Sequence, residues 1–251
     1  MLQVEKAGGS RYIVLNIYSH DHHRNLSPWW CISGTRSAHD FTLPHLRVDV
    51  EKGRCEQIEN PLRKAEDLYK LCDEDFVWRT FKDEPVLLTV LAAAGNEALA
   101  EKLIDPIAAR LGISRDKITG TSAAERIKKI HTAAALFATR NVITWTEQFV
   151  EKKGKKLLIV LSYSSTHVKA DLQGEPRFDQ ELIDWLKHKP YPVVDLREAF
   201  RGDYKRFNGD VKTYLDRYYN GHHTPAGNFF TASALRDRLI KWLDPAPIPY
   251  R

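Results

Sequence analysis

Apolar positions along the chain follow two patterns. Residues 12–18 (Tyr12-Ile13-Val14-Leu15-Asn16-Ile17-Tyr18) and 156–163 (Lys156-Leu157-Leu158-Ile159-Val160-Leu161-Ser162-Tyr163) are nearly continuous apolar runs rich in strand formers. Such runs suit strands covered on both faces, as in a parallel sheet. Residues 191–196 read as a third strand, and 46–58, turning at Glu51-Lys52-Gly53, as a small hairpin. The second pattern steps by three and four. Ser122-Ala123-Ala124-Glu125 is a capping box opening a helix to about Lys152. Its apolar stripe runs through Ile127, Ile130, Ala134, Phe137, Ile143 and Phe149 or Val150. Further helices are predicted from Pro61, over 73–81, over 97–111 with a break or kink at Pro106, over 179–187 and near 210–218. A last helix opens with Thr224 as cap and Pro225 in the first turn, with a stripe at Phe229, Ala232, Leu235, Leu239 and Trp242. Residues 19–44 read as a long polar and aromatic loop.

Strands alternating with helices predict an α/β fold with a parallel sheet and right-handed crossovers. The reading is one domain over residues 1–251, with a hairpin-plus-helices insertion at about 40–120. Ligands of such sheets bind beyond the carboxyl ends of the strands. The loops after Tyr18 and Tyr163 fall there.

Composition narrows the partners. At 251 residues and 43% hydrophobic content the chain can bury a substantial core. The net charge is +5, and the basic residues are scattered apart from the Lys152-Lys153-Gly154-Lys155-Lys156 turn, which reads as a solvated loop. With no aromatic-interleaved basic stripe, nucleic acid is not an expected partner. Cys31, Cys55 and Cys72 form an odd set without metal-ligand spacing, so no disulfide framework is expected. The start Met1-Leu2-Gln3-Val4-Glu5-Lys6 does not read as a signal peptide. The longest apolar run, 86–94, is far short of the roughly 20 residues of a membrane helix. The expectation is a soluble protein, cytoplasmic by default.

The candidate chemistry centres on Asn220-Gly221-His222-His223-Thr224-Pro225-Ala226-Gly227. A histidine on a short polar loop pinned to a packed helix can serve as an orientable general base. This segment resembles the last sequence block of SGNH (GDSL-type) hydrolases and acyltransferases. There an Asp is followed closely by the catalytic His, a small or Pro-containing turn, a Gly and a helix. His222 has the family's spacing to Gly227, whereas His223 is one residue too close. Chain order from Tyr12 onward, including the 12–25 block and the 157–165 strand, resembles the later two-thirds of such a domain.

The resemblance implies a three-layer α/β/α fold with a parallel sheet, SGNH-hydrolase or flavodoxin-like, here lacking its first two strands. Strand 12–18 would then lie at an exposed edge, open to self-association or a partner chain. The implied activity is hydrolysis or transfer of an acyl ester, such as an O-acetyl group on a carbohydrate, with no cofactor. His222 would be the base, oriented by Asn220, and His20, Asp21 and Asn25 would form the oxyanion or substrate loop.

Three departures from the family stand in the sequence. Tyr18-Ser19-His20-Asp21 replaces the usual Gly-x-Asn-Asp, so only Asp21 matches and Asn25 is the alternative donor. Tyr219 or Asn220 stands where the family has Asp. An Asn can accept from an imidazole but does not stabilise imidazolium as a carboxylate does; Asp216 lies one helical turn away. Finally, no Gly-Asp-Ser block follows a strand. Gly8-Gly9-Ser10 precedes one, and Ser162, Ser164 and Ser165 read as turn residues. The expectation is an SGNH-like domain inactive as this isolated chain. The alternatives are a non-catalytic carbohydrate- or acyl-binding module and a metal-dependent hydrolase using the His20–His23 loop. That loop lacks the Asp-His pair of the metallo-β-lactamase-like His-x-His-x-Asp-His motif, and no metal is expected. Trp29 and Trp30 read as packing under the long loop, and Arg177-Phe178-Asp179 as a helix cap with a core Phe.

Overall fold

The computed structural model describes residues 10–26, 44–49, 52–84, 97–120 and 122–244. Its elements in chain order begin with β1 (Tyr12–Tyr18), the helical turn α1 (Asp21–Arg24), and the hairpin of β2 (His45–Asp49) and β3 (Arg54–Ile58). A 3-10 helix over Ala65–Cys72, α2 (Glu74–Phe81), α3 (Glu97–Arg110), a 3-10 turn over Arg115–Ile118 and α4 (Ala123–Lys152) follow. Next come β4 (Lys156–Ser162), α5 (Ser165–Leu172), α6 (Gln180–Leu186), β5 (Val193–Asp195) and α7 (Leu196–Tyr204). The chain closes with α8 (Val211–Tyr218), β6 (Tyr219–Asn220), β7 (His222–His223) and α9 (Pro225–Trp242). Trp29, Trp30, Cys31 and the 86–94 run lie outside the described residues.

The chain divides into two compact units, Met1–His20 with Thr146–Arg251, and Asp21–Trp145. Where the sequence suggests an insertion at about 40–120, the second unit starts at Asp21 and ends inside α4.

The first unit is mixed α/β, a small parallel sheet flanked by helices, with strand order β1-β4-β5. Central β4 is buried from Leu157 to Ser162. On one face Leu158, Val160 and Leu196 form a cluster that takes Val194 of β5 and Ala234, Leu235, Leu239 and Trp242 of α9. Each fully buried aliphatic side chain contributes about 1.5–3 kcal/mol. Coverage of both faces therefore holds for β4. It does not hold for β1: Ile17 is buried, but Asn16 is exposed and Val14 is 50% exposed. An apolar run reports hydrophobicity, not how many neighbours the topology supplies. Among the described residues β1 and β5 are the edges of this sheet.

Helix α9 keeps Leu235, Leu239 and Trp242 of its expected stripe inward but departs from it in its first two turns. Phe229 is 76% exposed and Ala232 is exposed, whereas Phe230 packs on Phe200 and Tyr218 with ring centroids 4.7 and 4.9 Å away. The cause is Gly227, buried beneath the Tyr218 carbonyl. Residues three, seven and eight positions on from Gly227 then face inward: Phe230, Ala234 and Leu235.

Other boundaries differ for local reasons. The third strand is confined to Val193–Asp195, because the Asp195 carboxylate accepts the Arg197 N–H and starts α7 at once. Helix α3 continues through Pro106, and the segment after Pro61 becomes helical only at Ala65. Residues 21–24 form a helical turn inside the expected loop.

In the second unit, α4 supplies Ile127, Ile130, Ala134, Ala135 and Ala138 to a core with Ile104 and Ile107 of α3, Ile118, Val48 and Cys55. Burial pushes the Cys55 thiol up to about 12, leaving it an inert core residue. Ser122 accepts the Glu125 N–H, the expected cap of α4.

Candidate functional site

The carboxyl end of the sheet gathers several polar side chains. Ser19 follows β1 and its N–H bonds the Ser162 carbonyl at 2.8 Å, extending the ladder by one rung. At the end of β4, the Ser164 N–H donates to Ser19 Oγ at 3.1 Å. Tyr219, buried, donates its hydroxyl to the Tyr163 carbonyl at 3.0 Å. That bond ties the His222 hairpin to the end of β4.

The hairpin is minimal: Tyr219 pairs with His223 and Asn220 with His222 around Gly221, whose φ of 72° suits glycine. Directly opposed residues place their side chains on one face, so Asn220 and His222 stand side by side, both exposed. Among the described residues, no hydrogen bond joins the two side chains. Asp216 is engaged elsewhere, accepting from Lys212 Nζ at 2.6 Å. His223 differs from its neighbour. It is half-buried, edge-on to the Tyr219 ring at 4.7 Å, with Nδ1 3.3 Å from Thr231 Oγ1. Burial draws its imidazole below the ordinary range. Thr224 caps α9 as expected, accepting the Gly227 N–H at 3.1 Å and donating to the Arg217 carbonyl at 2.7 Å.

Each residue of the expected oxyanion or substrate loop has local partners. His20 belongs to the first unit, its ring edge-on to Tyr18 and 6.1 Å from that of His167. Asp21 and Asn25 belong to the second unit. Asp21 accepts from Arg24 at 3.0 Å, and the Asn25 carbonyl accepts the Leu46 N–H. His22 is buried with Nδ1 2.9 Å from Thr139 Oγ1. His23 has Nε2 3.3 Å from Thr132 Oγ1, and its ring lies 4.9 Å from that of His131. The three imidazoles of the metal reading thus turn to different partners. Among the described residues no group of three His, Cys, Asp or Glu is placed to hold a metal ion.

Two groupings escape a reading by motif. The first joins Ser164, Ser19 and His167: the imidazole Nδ1 lies 2.9 Å from Ser164 Oγ and 3.1 Å from Ser19 Oγ. Its ring packs on Phe178 at 4.5 Å. The available signal was Ser164-x-x-His167 directly after a parallel strand, which sets both side chains on one turn of a helix. The second is a buried ion network around Tyr163. Arg177 donates to Asp179 at 2.8 Å, to Asp195 at 2.7 Å and to the Tyr163 hydroxyl at 2.9 Å; Tyr163 in turn donates to Asp179 at 2.7 Å. Asp179 is therefore an ion-pair partner and makes no side-chain cap of α6, contrary to the expected cap. Burial alone would raise its carboxyl, but the hydrogen bonds and charge of Arg177 outweigh that and hold it below the usual carboxylate range. Arg197 and Arg201 both pair with Asp171. Three arginines face three aspartates, so the cluster has no surplus charge for an anion.

Comparison with family models, with curated proteins and with solved structures finds no match to the chain. No helix among the described residues is long and apolar enough to cross a membrane.

Proposed function

We propose that the first unit is an SGNH-like module that handles acyl esters, such as carbohydrate O-acyl groups, at the carboxyl end of its parallel sheet. The observation that carries the reading is the presentation of His222. The imidazole is exposed on a two-residue hairpin held between buried Tyr219 and the Gly227 contact with Tyr218, ahead of a capped helix. Such anchoring fixes the backbone while leaving the ring free to meet a ligand. His20 follows Ser19 at the same end of the sheet and supplies a second polar group there.

A second reading, a non-catalytic carbohydrate- or acyl-binding module, is favoured by the partners of His222. Asn220 stands beside it where a carboxylate would stabilise imidazolium, and Asp216 is paired with Lys212. Both readings place the ligand beside His222.

The test is a titration with an O-acetylated monosaccharide, followed through the histidine ring resonances. His222 should shift progressively at millimolar ligand while exposed His188 does not, and His222→Ala should weaken binding about tenfold, or ~1.4 kcal/mol. Ring signals that stay in place, or an affinity equal in His222→Ala, would sink the proposal.

A further inference from the structure

We infer that Ser164 is a nucleophile activated by His167, a serine–imidazole pair separate from His222. Its position is the first ground. Ser164 stands two residues beyond β4, the central strand, and directly before α5. A strand-to-helix junction at the carboxyl end of a parallel sheet is where α/β hydrolases raise their nucleophile. The second ground is what Ser164 does not do. A serine at a helix N-cap ordinarily accepts an N–H from the first turn, contributing ~1 kcal/mol. Ser164 occupies that position but makes no side-chain cap hydrogen bond; its Oγ lies 2.9 Å from His167 Nδ1 instead. That separation is within the reach required of a nucleophile and its base.

Ser19 is the positioning residue. Its Oγ is fixed by the Ser164 N–H at 3.1 Å and lies 3.1 Å from the same Nδ1, so it holds the imidazole against the junction. Phe178 covers the ring at 4.5 Å. Between the two hydroxyls Ser164 is the better placed to meet a ligand, being 7% exposed against 1% for Ser19.

The step follows the ordinary acyl-transfer course. Ser164 Oγ bonds to the ester carbonyl carbon as its proton passes to His167 Nδ1. The carbon–oxygen bond to the alcohol then breaks, and the departing oxygen takes that proton. Water attacks the acyl-serine in the same way, releasing the carboxylic acid and restoring Ser164 and His167. The choice of an acyl ester as substrate rests on the function proposed above; the reactivity of Ser164 does not.

The experiment treats the full chain with a fluorophosphonate probe, in which Ser164 Oγ displaces fluoride from phosphorus, and maps the adduct by peptide mass spectrometry. The expected result is one adduct on Ser164, absent in Ser164→Ala, slowed ~10²-fold in His167→Gln and retained in Ser165→Ala. The labelling rate of the parent chain should rise along a single imidazole titration, and His167→Gln should lose that pH profile, an outcome that a merely structural histidine would not give. The inference is overturned by no adduct on Ser164, by an adduct on Ser19, Ser162 or Ser165 instead, or by a pH profile unchanged in His167→Gln. Adduct formation with no perturbation of His222 by acyl sugar would leave the nucleophile standing and remove the function proposed for the module.

Discussion

A Cβ placed on Gly227 would stand 2.2 Å from the carbonyl oxygen of Tyr218. The neighbouring atom is backbone, so no rotamer change relieves the overlap. The Gly of the His-turn-Gly block thus has a packing reason: it lets α9 dock against the end of α8, and Thr224, three residues earlier, reaches back to donate to the Arg217 carbonyl. Gly227→Ala should force the two helices apart and cost about 3 kcal/mol, the upper range of overpacking. A urea unfolding midpoint within error of the parent would show that the helices do not meet as described.

Asp179 is 1% exposed and receives Arg177 and Tyr163 together. Removing it leaves the Arg177 guanidinium without the carboxylate that accepts two of its hydrogen bonds. Asp179→Ala should cost ~3–5 kcal/mol, while Tyr163→Phe should cost nearer 1 kcal/mol, because Arg177 and Asp179 keep each other. Denaturant melts of the two variants check the ranking, and equal losses would contradict it.

Burial, and then the neighbouring charge of His23, push the His131 imidazole down to about 4 from an unfolded value of 6.5. Above pH 6.5 it is neutral folded or unfolded, and its contribution is fully present. As pH falls from 6.5 towards 4 the unfolded chain takes up a proton that the folded chain refuses, and stability of order 3 kcal/mol is lost. Carboxylates held low, such as Asp67 at about 2, lose their contribution only at more acid pH. His131→Leu should flatten the pH 6.5–4 stretch of the stability curve; a slope unchanged by the substitution would rule this account out.

Features that a local rule decides are legible in the sequence. Thr224 and Ser122 cap the helices they precede, and the Ile127–Ile130–Ala134 stripe of α4 is core, because capping and three-four spacing act over a few residues. Features that a distant partner decides are not legible there. The stripe of α9 turns inward at Phe230 rather than Phe229 because Gly227 meets α8, a contact that periodicity does not contain. Helix α5 leaves no signal in the sequence, since Ser165-Thr166-His167-Val168 presents one buried apolar residue, Val168, and no stripe. The Ser164–His167 pair went with it, since serines after a strand ordinarily mean a turn. The loop of His20 to Asn25 was legible as a polar concentration, yet the partners of His22 and His23 are Thr139, Thr132 and His131, more than a hundred residues away.

The parallel pairing of β1 with β4 also has a temporal side. Tyr12 meets Lys156, and Tyr18 meets Ser162, across about 140 intervening residues. At a synthesis rate of roughly 5–20 residues per second, β1 leaves the ribosome about 7–30 s before its partner exists. Closing a loop of that length is slow entropically as well. For that interval the chain presents an apolar strand with no native neighbour, while the segment from Asp21 to Trp145 is already available to collapse on its own core. Whichever strand reaches β1 first in that window competes with β4 for it.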